Sequence, residues 1–118
     1  MELRPDYSQL QMVSQDDDNA FMIQIISMIA ADTPITIQKI NENLEKKDYL
    51  EISKIIHKYK SSVGILGMEN LRAAITHAER EAKHVENERE FIARINKLTE
   101  IFGKLELELQ AKLKSLGA

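Results

Sequence analysis

The sequence predicts an all-α protein: an antiparallel up-down four-helix bundle with a short N-terminal lead-in segment. Three observations carry that expectation. Apolar residues recur in steps of three and four along most of the chain, the period of an amphipathic helix. Only 4 Gly and 2 Pro occur in 118 residues, so little interrupts those runs. Apolar residues make up 43% and charged residues 30%, with Ala, Glu, Lys, Leu and Ile prominent, a mixture that suits helices around one core. The length supports one domain spanning residues 1–118.

The elements follow in order. Residues 1–15 offer a short lead-in turn or helix carrying Tyr7, Leu10 and Val13. Asp16-Asp17-Asp18-Asn19 reads as a helix start, because carboxylates favour the positive end of a helix and Asp18 or Asn19 can cap it. The first long helix runs from about Ala20 to Lys46, with Phe21, Ile25, Met28, Ile29, Ile37, Ile40 and Leu44 among its apolar positions. Pro34 either opens a new helix after an Asp32 or Thr33 cap, or kinks a continuous one. Glu45-Lys46-Lys47-Asp48 makes the turn, and Asp48 caps the second helix, which ends near Gly67. The third helix runs from about Met68 to Val85 and buries Leu71, Ala74, Ile75, Ala78, Ala82 and Val85. Glu86-Asn87-Glu88 connects it to the fourth, which extends to about Leu116. There Phe91, Ile95, Leu98, Phe102, Leu105, Leu109 and Leu116 repeat in steps that suit a bundle seam. Short connections between long helices make neighbours antiparallel.

The second helix holds the chemistry. Ile52, Ile55, Ile56, Tyr59, Val63 and Leu66 form its apolar arc. His57, Lys60, Ser61 and Gly64 form a second stripe, turned roughly 130° from the centre of that arc. His57 should therefore face solvent on a helix held from behind. Gly64 inside a helix costs about 0.5–1 kcal/mol relative to alanine, which suggests that something approaches the backbone closely there.

Composition narrows the function classes. A net charge of −3 argues against wholesale nucleic-acid binding. The absence of cysteine removes disulfides, thiol nucleophiles and Cys-based zinc sites. No uninterrupted apolar run approaches 18 residues, so no membrane-spanning segment is expected. Met1-Glu2-Leu3-Arg4-Pro5-Asp6 lacks the apolar stretch of a signal peptide, and the expected location is cytoplasmic. His77, Glu81 and His84 have a spacing that could suit a metal, but they lie away from the buried stripe and read as surface residues, with no metal expected. A di-iron bundle enzyme needs inward Glu-x-x-His pairs on two helices, and only Glu81–His84 exists, facing outward. The five methionines, Met22, Met28 and Met68 among them, read as core filler.

The register His57, Lys60, Ser61, Ser62, Gly64, Leu66, Gly67 resembles the signature of a histidine-containing phosphotransfer (HPt) domain. Asp48-Tyr49 resembles the turn before that family's histidine helix, and Leu71 with Ala78-Glu79 fits the helix after it. The resemblance covers most of residues 7–115. Ser61 stands where the family often has glycine, Tyr59 where it often has leucine, and Ile56 where alanine is common. It implies His57 as the phosphoacceptor and Lys60 as the cation that steadies the phosphoryl group. Ser61 and Gly64 would contact the partner, and Lys54 and Lys58 would steer it. The implied partners are receiver domains of response regulators or of a hybrid histidine kinase. The implied Mg²⁺ is supplied by the receiver, with no cofactor bound by this chain.

That chemistry asks little of the domain. An imidazole has an ordinary pKa of about 6.5, so near pH 7 it is largely a neutral nucleophile. Phosphoryl transfer depends mainly on positioning and on neutralising charge. No Gly-rich nucleotide loop occurs, so no autokinase activity is expected. The alternative is an HPt-like module that docks receivers without carrying phosphate. A monomer is the expected state.

Overall fold

The computed structural model describes residues 4–13 and 19–118. Among them are five helices: α1 (Ser8–Val13), α2 (Ala20–Glu45), α3 (Tyr49–Ile65), α4 (Glu69–Ala82) and α5 (Glu88–Ser115). No strand occurs among the described residues. The lead-in is thus a short helix of its own. The Asp16–Asp18 part of the expected helix start lies outside the described residues. Asn19 is described: its backbone is left-handed at φ 61°, and its side chain makes no capping bond.

The four long helices close into a ring. α2 packs on α3 and α5, and α4 packs on the same two. The particle is elongated, 50 × 21 × 21 Å, as helices of up to 28 residues laid side by side require. The α5 seam is as the periodicity predicts, with Phe91, Ile95, Leu98, Phe102, Leu105 and Leu109 buried and Leu116 partly so.

Helix ends follow local chemistry. Asp48 caps α3 by accepting from the Glu51 amide at 3.2 Å, and Asn87 caps α5 by accepting from Glu90 at 3.1 Å. At the end of α3 the Gly67 amide donates to Gly64 and the Met68 amide to Val63. Those two bonds close the helix around a left-handed Gly67, φ 67°. The Asp6 amide donates to the Leu66 carbonyl at 2.7 Å, so the lead-in is tied to this corner. A Cβ at Gly67 would come within 2.9 Å of the Asp6 Cβ. Gly67→Ala therefore meets both a disfavoured φ and a collision. A loss of at least about 1 kcal/mol is expected, seen as a melting temperature lower by roughly 4 °C or more.

Of the two alternatives for Pro34, the continuous helix stands: the proline lies inside α2 and starts no new helix. Its ring removes only one amide from the ladder, and packing on α3 and α5 holds the rest. The buried stripe of α2 is Met22, Ile26, Ile29, Ala30, Thr33, Thr36 and Ile40. Phe21 and Met28 face outward, 38% and 62% exposed, so Met28 is not core filler, whereas Met22 and Met68 are buried. α2 is apolar on both faces, so periodicity alone could not tell which one packs. For the same reason α2 is long and apolar enough to cross a membrane by length and composition, against the expectation from uninterrupted runs. A core helix meets the same test. Finally, α4 stops at Ala82 rather than Val85. His84 therefore lies beyond the helix, and its helical spacing from Glu81 is lost.

Candidate functional site

His57 sits near the middle of α3, with its side chain 66% exposed. The backing is firm. Ile56, Tyr59 and Val63 are fully or almost fully buried, Ile56 where the resemblance had alanine. The Tyr59 ring tilts against Phe102 at a 4.6 Å centroid separation. Its hydroxyl lies 2.7 Å from Thr33 Oγ1, which itself donates to the Ile29 carbonyl, so Tyr59 donates to Thr33. Burial pushes the Tyr59 phenol up to about 12, helped by Asp32 and Glu106 and opposed by the Thr33 bond. The core polar group is thus neutral and satisfied.

α4 brings a second residue to the histidine. Glu79 Oε2 lies 3.0 Å from His57 Nδ1. Its other oxygen, Oε1, lies 3.1 Å from Lys60 Nζ. That contact is close enough for an ion pair, though it is not an aligned hydrogen bond. The Ser53 hydroxyl, one turn before His57, donates to the Glu79 carbonyl at 3.1 Å. Side chain and backbone of Glu79 are therefore both pinned to α3. The residue is buried, and burial alone would raise its carboxyl. Lys60 and His57 outweigh that, and the net displacement is downward. Glu79 is a carboxylate, and a carboxylate only accepts hydrogen bonds. Nδ1 of a neutral His57 must then carry the ring hydrogen, which leaves the lone pair on Nε2, away from Glu79.

Lys60 is only 19% exposed along its side chain and is engaged with Glu79. Lys54 is open to solvent, 3.9 Å from Glu51, and Lys58 is exposed. Ser61 is exposed and turns its hydroxyl back to the Lys58 carbonyl at 3.1 Å. Gly64 is half-buried, and a Cβ there would meet only the Arg72 side chain, at an ordinary 3.9 Å. Nothing within the fold requires glycine at this position. Gly64→Ala should raise stability by about 0.5 kcal/mol, read as a higher melting temperature.

The two sides of α3 differ. Toward α2, a shallow apolar groove is lined by Ile25, Met28, Ile29 and Asp32 with Ser62 and Ile65 of α3. Toward α4, a polar groove is lined by Lys60, Glu69, Arg72, Thr76, His77 and Arg80, with Ala73.

The family model of the Hpt domain matches residues 24–116, more than three quarters of the chain. The chain belongs to the Hpt family. No curated protein and no solved structure matches it. As an Hpt domain it is a component of two-component phosphorelays, in which such domains are phosphocarriers rather than true enzymes and meet receiver domains.

Sequence reasoning gave no role to Glu79 or Ser53. A signal for Glu79 existed: it borders the buried stripe Leu71, Ile75, Ala78, Ala82 on α4, where a carboxylate is seldom found unless paired. The His77, Glu81, His84 set does not assemble. Glu81 accepts from Arg94 through both oxygens, Nε at 2.8 Å, and the exposed His84 lies 3.7 Å from Glu86. Among the described residues no group of three His, Asp or Glu could hold a metal ion.

Proposed function

We propose that this Hpt domain carries a phosphoryl group on Nε2 of His57. It would take that group from a receiver aspartate and pass it to another receiver. The observation that carries this reading is the His57–Glu79 pair, which leaves the nucleophilic lone pair on the other nitrogen of an exposed side chain. In the forward step the P–O bond of the aspartyl phosphate breaks as a P–N bond forms at Nε2, and the aspartate leaves as carboxylate. The ring then carries positive charge, with its hydrogen still on Nδ1 facing the Glu79 carboxylate. The reverse step returns the electron pair to Nε2. Mg²⁺ held by the receiver offsets charge on the phosphoryl oxygens, and this chain binds no cofactor.

Lys60 holds Glu79 ionised in the resting domain, and its flexible stem lets the ammonium turn toward the phosphoryl oxygens when they arrive. Ser61 and Gly64 form a low surface against the receiver, with Lys54 and Lys58 steering its acidic pocket. The exposed apolar side chains of Met28 and Ile65 extend that surface toward α2. We read the ring of long helices, joined by three to five residues, as an antiparallel up-down bundle. The domain works as a cytoplasmic monomer without autokinase activity or direct membrane insertion.

The test is transfer from a panel of Mg²⁺-loaded, phosphorylated receivers. Acid-labile, base-stable label on the chain is the expected result. Binding without label would make it a docking module, and neither would sink both readings. Gly64→Trp should raise KM for the receiver about tenfold or more while the fold holds, because the ring would stand on the docking surface.

A further inference from the structure

We propose that the groove between α3 and α4 is a second contact for the receiver, and that Arg72 and Arg80 there take an acidic loop at the rim of the receiver's phosphorylation centre. This rests on the carrier reading above. It places partner contacts on α4 in addition to those on α3 and α2.

Lys60 lines this groove and is also the cation paired with Glu79, so the groove opens directly beside the reacting centre. Arg72 flanks Gly64, its Cδ and Nε 3.9 Å from where a Cβ would stand. A partner lowered onto Gly64 therefore meets the Arg72 side chain at the same time.

The chain carries −3 overall, yet this groove collects Arg72 and Arg80, with His77, against one lining carboxylate, Glu69, while Lys60 is paired with Glu79. That carboxylate holds Arg72 loosely, at 3.8 Å, and the Arg72 side chain stays 52% exposed. Arg80 is exposed and makes no ion pair among the described residues. Neither guanidinium is held by a close ion pair among the described residues. Arg94, by contrast, is spent on Glu81 through two hydrogen bonds. Exposed guanidinium forks match carboxylates in geometry as well as charge.

A receiver covering His57 meets apolar Ile25, Met28 and Ile65 on one side and arginines on the other. An apolar ledge alone lets a partner rotate about the histidine. A charged contact on the opposite side sets its orientation, and in-line transfer needs that orientation.

The experiment compares the wild-type domain with Arg72→Glu/Arg80→Glu, and with Arg72→Gln/Arg80→Gln as the milder pair. Two phosphoryl donors are used. One is a phosphorylated receiver. The other is phosphoramidate, which exchanges its own P–N bond for one to Nε2, releases ammonia and needs no docking. The reversal variant should show KM for the receiver raised roughly tenfold to hundredfold, with kcat unchanged and a flatter salt dependence. Labelling by phosphoramidate should stay at the wild-type rate, and the glutamine pair should fall between. Wild-type KM and salt dependence in the reversal variant would overturn the proposal. So would an equal loss of label from both donors, which would place the arginines in the reacting centre or the fold. A wild-type domain that takes no label from any receiver fails the carrier reading instead. Binding of the unphosphorylated receiver then decides the groove, weaker binding by the variant supporting it and equal binding overturning it.

Discussion

His57→Gln should take no label from any phosphorylated receiver, while its melting temperature stays within about 2 °C of the wild type. The two halves of this expectation have separate causes. Glutamine has no nucleophilic nitrogen, because its amide lone pair is delocalised, so no P–N bond can form. Stability is spared because the His57 side chain is 66% exposed and the core behind it belongs to Ile56, Tyr59 and Val63. The glutamine amide can still donate to Glu79, so the buried carboxylate keeps a partner. Differential scanning calorimetry and a labelling assay on the same preparation check both halves. Residual acid-labile label would mean that another histidine accepts, with His77 and His84 the ones to replace next. A drop of 8 °C or more with no label would mean that His57 supports the fold, and the loss of transfer would then say nothing about its chemistry.

What was legible in the sequence and what was not divide along one line. Facts set by residues close in sequence could be read. The Asp48 cap, the closure at Gly67 and the α5 seam each depend on neighbours within a few positions, and the helices formed where those signals stood. The exposure of His57 also followed, because seventeen residues of one helix fix which side faces in. Facts set by how two helices meet could not be read. Glu79 lies 22 positions from His57, and only the packing of α4 on α3 puts its carboxylate 3.0 Å from the imidazole. The rotation of α2 was lost for a related reason. Phe21, Ile25, Met28 and Ile35 form an apolar stripe as regular as the buried one, and only the neighbours α3 and α5 choose between them. Lys60 shows the same limit from the other side. Its place one turn from His57 was evident, but its pairing with Glu79 belongs to α4.

Glu79→Ala should slow phosphoryl acceptance by roughly 30-fold, the equivalent of about 2 kcal/mol for a hydrogen bond to a charged group. The effect runs through His57. Without the carboxylate nothing keeps the ring hydrogen on Nδ1, so the tautomer with Nε2 blocked is populated. The positive charge that develops on the ring also loses its nearest anion. Glu79→Gln separates these effects: its amide oxygen can still accept from Nδ1, but it offers no charge to the ring or to Lys60. It should fall between wild type and alanine in rate. If the two variants are equally slow, charge is what matters; if glutamine matches wild type, orientation alone suffices. Wild-type rates in both would remove Glu79 from the mechanism.

Stability adds a readout that transfer rates cannot give. The Glu79 carboxyl is displaced below its ordinary 4.5, with burial opposing Lys60 and His57. A carboxyl lowered in the folded state contributes stability that is complete above its unfolded value and is lost as pH falls through its folded value. The wild type should therefore exceed Glu79→Gln by about 1–2 kcal/mol at pH 7, an amount set by a pair that is mostly but not fully buried. The gap should close as the solution is taken well below pH 4. Parallel stability curves for the two proteins across that range would mean that the Lys60–Glu79 contact contributes nothing in solution. Lys60 would then be free to meet an incoming phosphoryl group without first leaving a partner.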